Sequence, residues 1–364
     1  MNIDFHYGVI YVVARWAGME AADAEIVAHA CQYIDDSTVS GVLEFKGGQT
    51  YERFAAAHGM VDYRNFLQIS DKLVWATFHF LPGGEGNSFE EKCVCKPNSD
   101  IAKEMVRRGI HDRTAGNSMH RLGVTLHTYV DTWAHQNFSG IISGWNVVHE
   151  LRSDDCAPAE WRQQLTAFIE RECDIVEGDV IDLVSRVGHG AALHFPDLPW
   201  AKWSYRNAIG REIERDNLPI FLDAANFACR AIQAFMKGCD EFELQSGLSS
   251  AQQESLRLVL EKSRDHDPVK RLSVLGAALE RGEFCDLSER LPDYIGKGPG
   301  SWKANAVGIT ARGPEEEHAQ ERVQKPEWTE TFEQSDYRKY HDAVQQHRQV
   351  VTREVLPKFG IRLA

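Results

Sequence analysis

The stretch "LHTYVDTWAHQNFSG", residues 126–140, constrains the fold more than any other. It sets His127, Asp131 and His135 four residues apart, then four again. A helix turns about 100° per residue, so side chains four apart stack on nearly one face. Leu126, Val130, Trp133 and Phe138 surround that line with apolar groups, which predicts a buried helix. His120 stands on a nearby line two turns earlier. Burying two imidazoles and a carboxylate without partners is costly. Imidazole nitrogen and carboxylate oxygen are the ligand atoms that zinc and similar divalent ions accept, and a bound cation removes the cost. The alternative is that each is a core polar group with its own hydrogen bond.

One helix offers a metal only one side, so further ligands must come from elsewhere. The candidate groups are Asp4 and His6 in "IDFHY", His29, Asp35 and Asp36 in "HACQYIDDS", His79 in "TFHFLPGG", and His189, His194 and Asp197 in "VGHGAALHFPDLPW". Each has a plainer reading: Asp35 and Asp36 end a helix, His79 is a satisfied core residue, His194 lies on the surface.

Most of the chain carries helical periodicity, with capping and stop residues in place. "MEAADAEIVAHACQYIDD", "NSDIAKEMVRRG" capped by Ser99, "DNLPIFLDAANFACRAIQAFMKG" capped by Asn217 and ended by Gly238, "SSAQQESLRLVLEKSR", "DPVKRLSVLGAALERG" and "QSDYRKYHDAVQQHRQVVTREVL" all read as helices. Only "SGVLEF" and "WATFHFL" resemble strands. Two Gly/Pro-rich stretches, 81–99 and 294–317, read as a loop and an exposed excursion. The expectation is an all-α multi-helix bundle: a metal-binding body over 1–240, and a helical C-terminal portion over 241–364 packed on it across a soft boundary.

The formal net charge of −14 disfavours duplex nucleic acid and anionic membranes, which call for basic surfaces. A small phosphate-bearing substrate stays open, because bound divalent ions invert the local field. No run of ~18 apolar residues predicts a membrane-spanning helix. The segment "MNIDFHYGVIYVVARWAGM" has Asp4 and His6 where a signal peptide carries basic residues, so none is expected. The eight cysteines are scattered and read as reduced thiols, which suits a cytoplasmic protein.

"LGVTLHTYVDTWAH" resembles the H-x-x-x-D…H helix of the zinc-dependent phospholipase C and single-strand-nuclease superfamily. The order of the other pieces is similar over residues 1–200: an early His, an Asp ending a helix ("YID"), a His among aromatics, then the helix, then a His with a carboxylate. The chain also looks like an uncharacterised bacterial family with "NIDFHY", "QYIDD", "FHFLPG", "LHTYVDTWAHQNFSG" and "GH…PDLPW". The resemblance implies a helical bundle around two or three zinc ions and hydrolysis of a phosphodiester or phospholipid. Its implied ligands are His6, Asp35, His79, His127, Asp131, His135 and His189, with Asp197 or His194 completing the set. The superfamily also uses a free N-terminal amine exposed by leader cleavage. With no leader expected, the Met1 amine is not expected to serve, and Asp4 stands in for it.

Under this reading Asp131 or Asp35 bridges two ions, and Asp36 or Asp4 orients the attacking water as general base. His120 and Arg121 are candidates for phosphate contact, and Trp133, Trp200 and Trp203 for cleft walls. Two rivals remain. An HD-type phosphohydrolase would use His79, His111–Asp112 and Asp131, leaving His127 and His135 unexplained. A non-catalytic interaction protein would hold one closed structural metal. No G-x-S-x-G is present, and "GGEGNS" lacks the lysine of a phosphate-binding loop.

Overall fold

The computed structural model describes residues 1–57, 73–111, 113–154, 163 and 188–363. A π-helical turn, Asp4–Val9, runs straight into α1, Ile10–Trp16. Helix α2 spans Ala21–Asp36, and α3 spans Asp100–His111, capped as expected by Ser99, whose Oγ accepts from the Ala102 N–H at 3.1 Å. Helix α4, Ser118–Ala134, is the "LHTYVDTWAH" helix, and every residue from Leu122 to Ala134 is buried. Helix α5 covers Asn217–Lys237 and stops at Gly238, whose φ of 70° suits glycine. Asp216 takes its N-cap position; Asn217 turns inward instead, donating to the carbonyls of Phe195 and Leu198 at 2.7 and 2.8 Å. Then follow α6 (Ser250–Lys262), α7 (Pro268–Glu280), α8 (Pro314–Val323) and α9 (Asp336–Gln349), the last continuing as a π-helix over Val350–Val355.

The all-α expectation is corrected by two small antiparallel sheets. Strands β1 (Gly41–Glu44) and β2 (Thr50–Arg53) pair with Gly41 opposite Arg53. Strands β3 (His149–Ser153), β4 (Lys202–Arg206) and β5 (Glu212–Asp216) form a second sheet in that order. The first strand matches "SGVLEF". The second sheet escapes a sequence reading because "KWSYR" and "EIERD" are only five residues long and charged at both ends. "WATFHFL" is not a strand: Trp75–His79 forms a π-helical turn. Nor is 294–317 an exposed excursion, since Trp302 stacks on His29 at 3.9 Å and Ile309 and Ala311 are buried.

Helix α4 lies at the centre, packed by α2, α3, α5 and α9. Gly123 permits the close approach of α2: a Cβ there would lie 2.4 Å from the Val27 carbonyl oxygen. The main apolar core draws on Phe5, Ile10 and Leu126 together with Leu256, Leu275 and Val351, so it takes side chains from both sides of position 240. Among the described residues no helix is long and apolar enough to cross a membrane. Six cysteines are free thiols, four of them buried; Cys156 and Cys173 lie outside the described residues.

Candidate metal centre

Five segments deliver acids and imidazoles to one buried point. The first π-helical turn brings His6, the last turn of α2 brings Asp35, and the π-helical turn Trp75–His79 ends on His79. Helix α4 supplies His127 and Asp131 and ends with His135 at its C-cap. His189 and Asp197 come from two short 3-10 turns, Gly190–Ala192 and Phe195–Asp197, which they begin and end. Three groups result, each able to hold a metal ion with ligand atoms within 4.8 Å of one another: His6, His127 and Asp131; Asp35, His79 and His127; and His135, His189 and Asp197.

Hydrogen bonds set the tautomers. A carbonyl oxygen only accepts, so an imidazole nitrogen facing one must carry the proton. His127 Nδ1 donates to Cys31 at 2.8 Å, His79 Nε2 to Ala56 at 3.0 Å, His135 Nδ1 to His79 at 2.7 Å and His189 Nδ1 to Leu193 at 3.0 Å. His6 places Nδ1 3.1 Å from Asp35 Oδ2 and Nε2 3.0 Å from Asp131 Oδ1. The other nitrogen of each carbonyl-anchored ring faces inward. His127 Nε2 lies 3.2 Å from His79 Nδ1 and 3.3 Å from Asp131 Oδ2, an oxygen that is buried without a hydrogen-bond partner. Asp35 Oδ1 stands 3.7 and 3.8 Å from those two nitrogens. Ligands ~2.0–2.1 Å from a tetrahedral zinc are roughly 3.3–3.4 Å from each other, close to the 3.2 and 3.3 Å that separate His127 Nε2 from His79 and Asp131. In the third group Asp197 reaches His135 Nε2 at 3.5 Å and His189 Nε2 at 3.4 Å.

The electrostatics follow from that crowding. Burial alone would raise Asp35, Asp131 and Asp197, but the surrounding imidazoles outweigh it, joined at Asp131 and Asp197 by the Met1 amine. Asp35 is held down to about 2, and the other two well below the usual carboxylate range. Burial pushes His127 and His189 down to about 4, which keeps both neutral and ligand-competent.

Several expectations meet different geometry. The Met1 amine does enter the site: it donates to Asp131 Oδ1 at 2.6 Å and lies 3.2 Å from Asp197 Oδ1. Asp4 points elsewhere, both of its oxygens accepting from Arg271 at 2.7 and 2.9 Å, so it is engaged in a buried ion pair rather than beside the centre. Asp36 accepts from the Tyr294 hydroxyl at 2.6 Å and belongs to none of the three groups. His194 is exposed at the start of the turn carrying Asp197 and joins none of them. His120 faces Asp336 at 3.0 Å. Trp133 donates to Asp223, Trp200 packs on Arg271 and Trp203 stacks on Tyr205, so these rings are engaged elsewhere; Phe80, stacked on His135 at 4.4 Å, and Trp75, 5.3 Å from His79, are aromatic neighbours of the centre. His111 is exposed and pairs with Asp240 at 2.8 Å, away from His79, and Asp112 lies outside the described residues.

The amine carries no motif that a sequence pattern detects, and Phe80 was legible only as part of "FHFLPG". No curated protein and no solved structure matches the chain. Residues 1–355 match a family profile, and the chain belongs to that family of unknown function, DUF6765.

Proposed function

We propose that the chain is a metal-dependent phosphoester hydrolase whose His6, Asp35, His79, His127, Asp131, His135, His189 and Asp197 hold two or three divalent ions, zinc foremost. One observation carries the reading: four imidazoles are fixed from behind by backbone carbonyls and turn their second nitrogens toward three ionised carboxylates. Anchoring of a ligand ring through its second nitrogen is the usual support of a metal-binding histidine. Such ions, when bound, make hydroxide available near neutral pH and neutralise charge on phosphoryl oxygens.

The protein side of the chemistry is division of labour among the acids. Asp131 turns Oδ1 to His6 and Oδ2 to His127 and, at 3.6 Å, to His79, so it reaches imidazoles of two groups at once. Asp35 has about a third of its side chain exposed, where Asp131 is 1% and Asp197 9%, which makes it the carboxylate that incoming water meets. His6 holds its Oδ2 and leaves Oδ1 facing the centre. Phe80 shields His135 from solvent. The order of motifs along the sequence supports a small phosphodiester or phospholipid headgroup as substrate, and the net charge of −14 weighs against duplex nucleic acid. The HD-type rival loses support because His111 stands apart.

Elemental analysis is expected to find two or three divalent ions per chain, and fewer in His127→Ala. Near-zero metal in both proteins ends the reading. Turnover of bis(p-nitrophenyl) phosphate, abolished by chelator and restored by zinc, separates an enzyme from a structural centre. A fully loaded protein inert toward phosphodiesters and phosphomonoesters would be a scaffold.

A further inference from the structure

Arg215, on β5, is 4% exposed, and among the described residues no carboxylate pairs with it. Its Nη2 donates to the carbonyls of Trp133 and Ala134 at 3.3 and 3.1 Å, and its Nη1 to that of Gln136 at 3.4 Å. Its Nε is buried without a partner, and the guanidinium carbon lies 5.3 Å from the Trp203 ring centroid on the neighbouring strand. A buried guanidinium without an acid is expensive, so its placement needs a reason. Its acceptors supply one. Those of Trp133 and Ala134 are the last carbonyls of α4, which have no partners within the helix and carry the negative end of its dipole, and that of Gln136 follows its C-cap.

His135 sits between Ala134 and Gln136, so Arg215 grips the backbone on both sides of it. The ring is then fixed by the His79 carbonyl and by Phe80, which leaves Nε2 aimed at Asp197. We infer that Arg215 is the positioning residue of the His135–His189–Asp197 group, locking the end of α4 at the place where that group takes its helical ligand. The inference rests on the metal-centre reading proposed above. Only the planar fork of arginine reaches three carbonyls together; a lysine ammonium is a point charge on a flexible stem.

The test compares Arg215→Lys with Arg53→Lys in the full chain. Arg53 is equally buried but bonds Glu321, which lies outside the three groups. Two readouts apply: zinc equivalents retained against a competing chelator, and the ring NMR signal of His135 in metal-free protein, assigned by its loss in His135→Gln. Arg215→Lys should weaken one zinc equivalent about 10- to 100-fold and move the His135 signal, whereas Arg53→Lys should lower the melting temperature and change neither. Should Arg215→Lys fail to fold, Trp203→Leu, which removes the ring under the guanidinium, should produce the same changes in weaker form. Wild-type zinc retention with an unmoved His135 signal overturns the inference, as does equal zinc loss in Arg53→Lys. A wild type that binds no zinc while Arg215→Lys still moves the His135 signal would remove the metal reading and leave the positioning role standing.

Discussion

His127 Nε2 and His79 Nδ1 face each other at 3.2 Å, and the opposite nitrogen of each ring already donates to a backbone carbonyl. Two lone pairs at that separation repel unless a proton or a metal cation lies between them. The folded chain therefore carries a built-in demand for positive charge, and an ion that binds only the folded state stabilises it by mass action. Zinc at a hundredfold excess over its dissociation constant adds about 2.7 kcal/mol. Thermal melts with and without chelator should differ by several degrees for wild type and by less for His127→Ala, which keeps the His135–His189–Asp197 group. Superimposable wild-type melts would remove the demand.

The two late histidines separate cleanly. His189 turns Nε2 to Asp197 at 3.4 Å while its Nδ1 is anchored on Leu193; His194, five residues on, is exposed. His189→Ala should lose metal from the third group, and His194→Ala should keep the wild-type complement. Elemental analysis of the pair decides it, and the reverse pattern would mean that the turn carries its ligand at 194.

How far the sequence revealed this site depends on how local each constraint is. The line of His127, Asp131 and His135 is visible because helical spacing alone stacks them. Asp35 and His79 come into reach as polar groups at the ends of apolar segments. Asp4 misled because a carboxylate beside a histidine looks like a site, while its true partner, Arg271, lies 267 residues away. The backbone carbonyls that fix the tautomers have no side-chain signature at all. The second sheet was missed for a related reason, since strands this short and charged owe their pairing to neighbours rather than to their own pattern.

Asp4 and Arg271 give a prediction that separates a structural acid from a catalytic one. The pair is bidentate, with side chains 3% and 1% exposed. Asp4→Ala leaves a buried guanidinium unpaired and should cost about 3–5 kcal/mol, seen as a large fall in the urea midpoint. A variant that instead kept its stability and lost only turnover would assign Asp4 to the reaction.

Acid should destabilise the metal-free protein through histidines outside the centre. Burial pushes His29 down to about 3 and His347 down to about 4, whereas both titrate near ~6.5 in an unfolded chain. Below pH ~6.5 the unfolded chain binds protons that the folded chain refuses. Their contribution is therefore complete above that pH and is lost as the pH falls toward the folded values. His347→Gln, which keeps a donor for the Thr77 carbonyl, removes one such proton. Its stability should fall less steeply between pH 6.5 and 4.5, by up to ~1.4 kcal/mol per pH unit. Parallel urea-midpoint curves for the two proteins would show that His347 takes no part.

Gly123 tests whether the centre depends on how closely α2 and α4 approach. A methyl group there would sit 2.4 Å from the Val27 carbonyl oxygen, 2.7 Å from Ala30 Cβ and 3.0 Å from the Cys31 nitrogen. Two of these are backbone atoms, so a rotamer change gives no relief and the helices must part. Overpacking of this kind costs about 1–3 kcal/mol. The same movement would carry the Cys31 carbonyl away from His127 Nδ1, and Asp35 away from His127 Nε2. Gly123→Ala should therefore weaken metal retention as well as lower the melting temperature. Gly116→Ala, in a turn where an added Cβ meets nothing within 4 Å, should do neither. If Gly123→Ala melts early yet holds its ions as tightly as wild type, the ligands on α2 and α4 are not coupled through this contact.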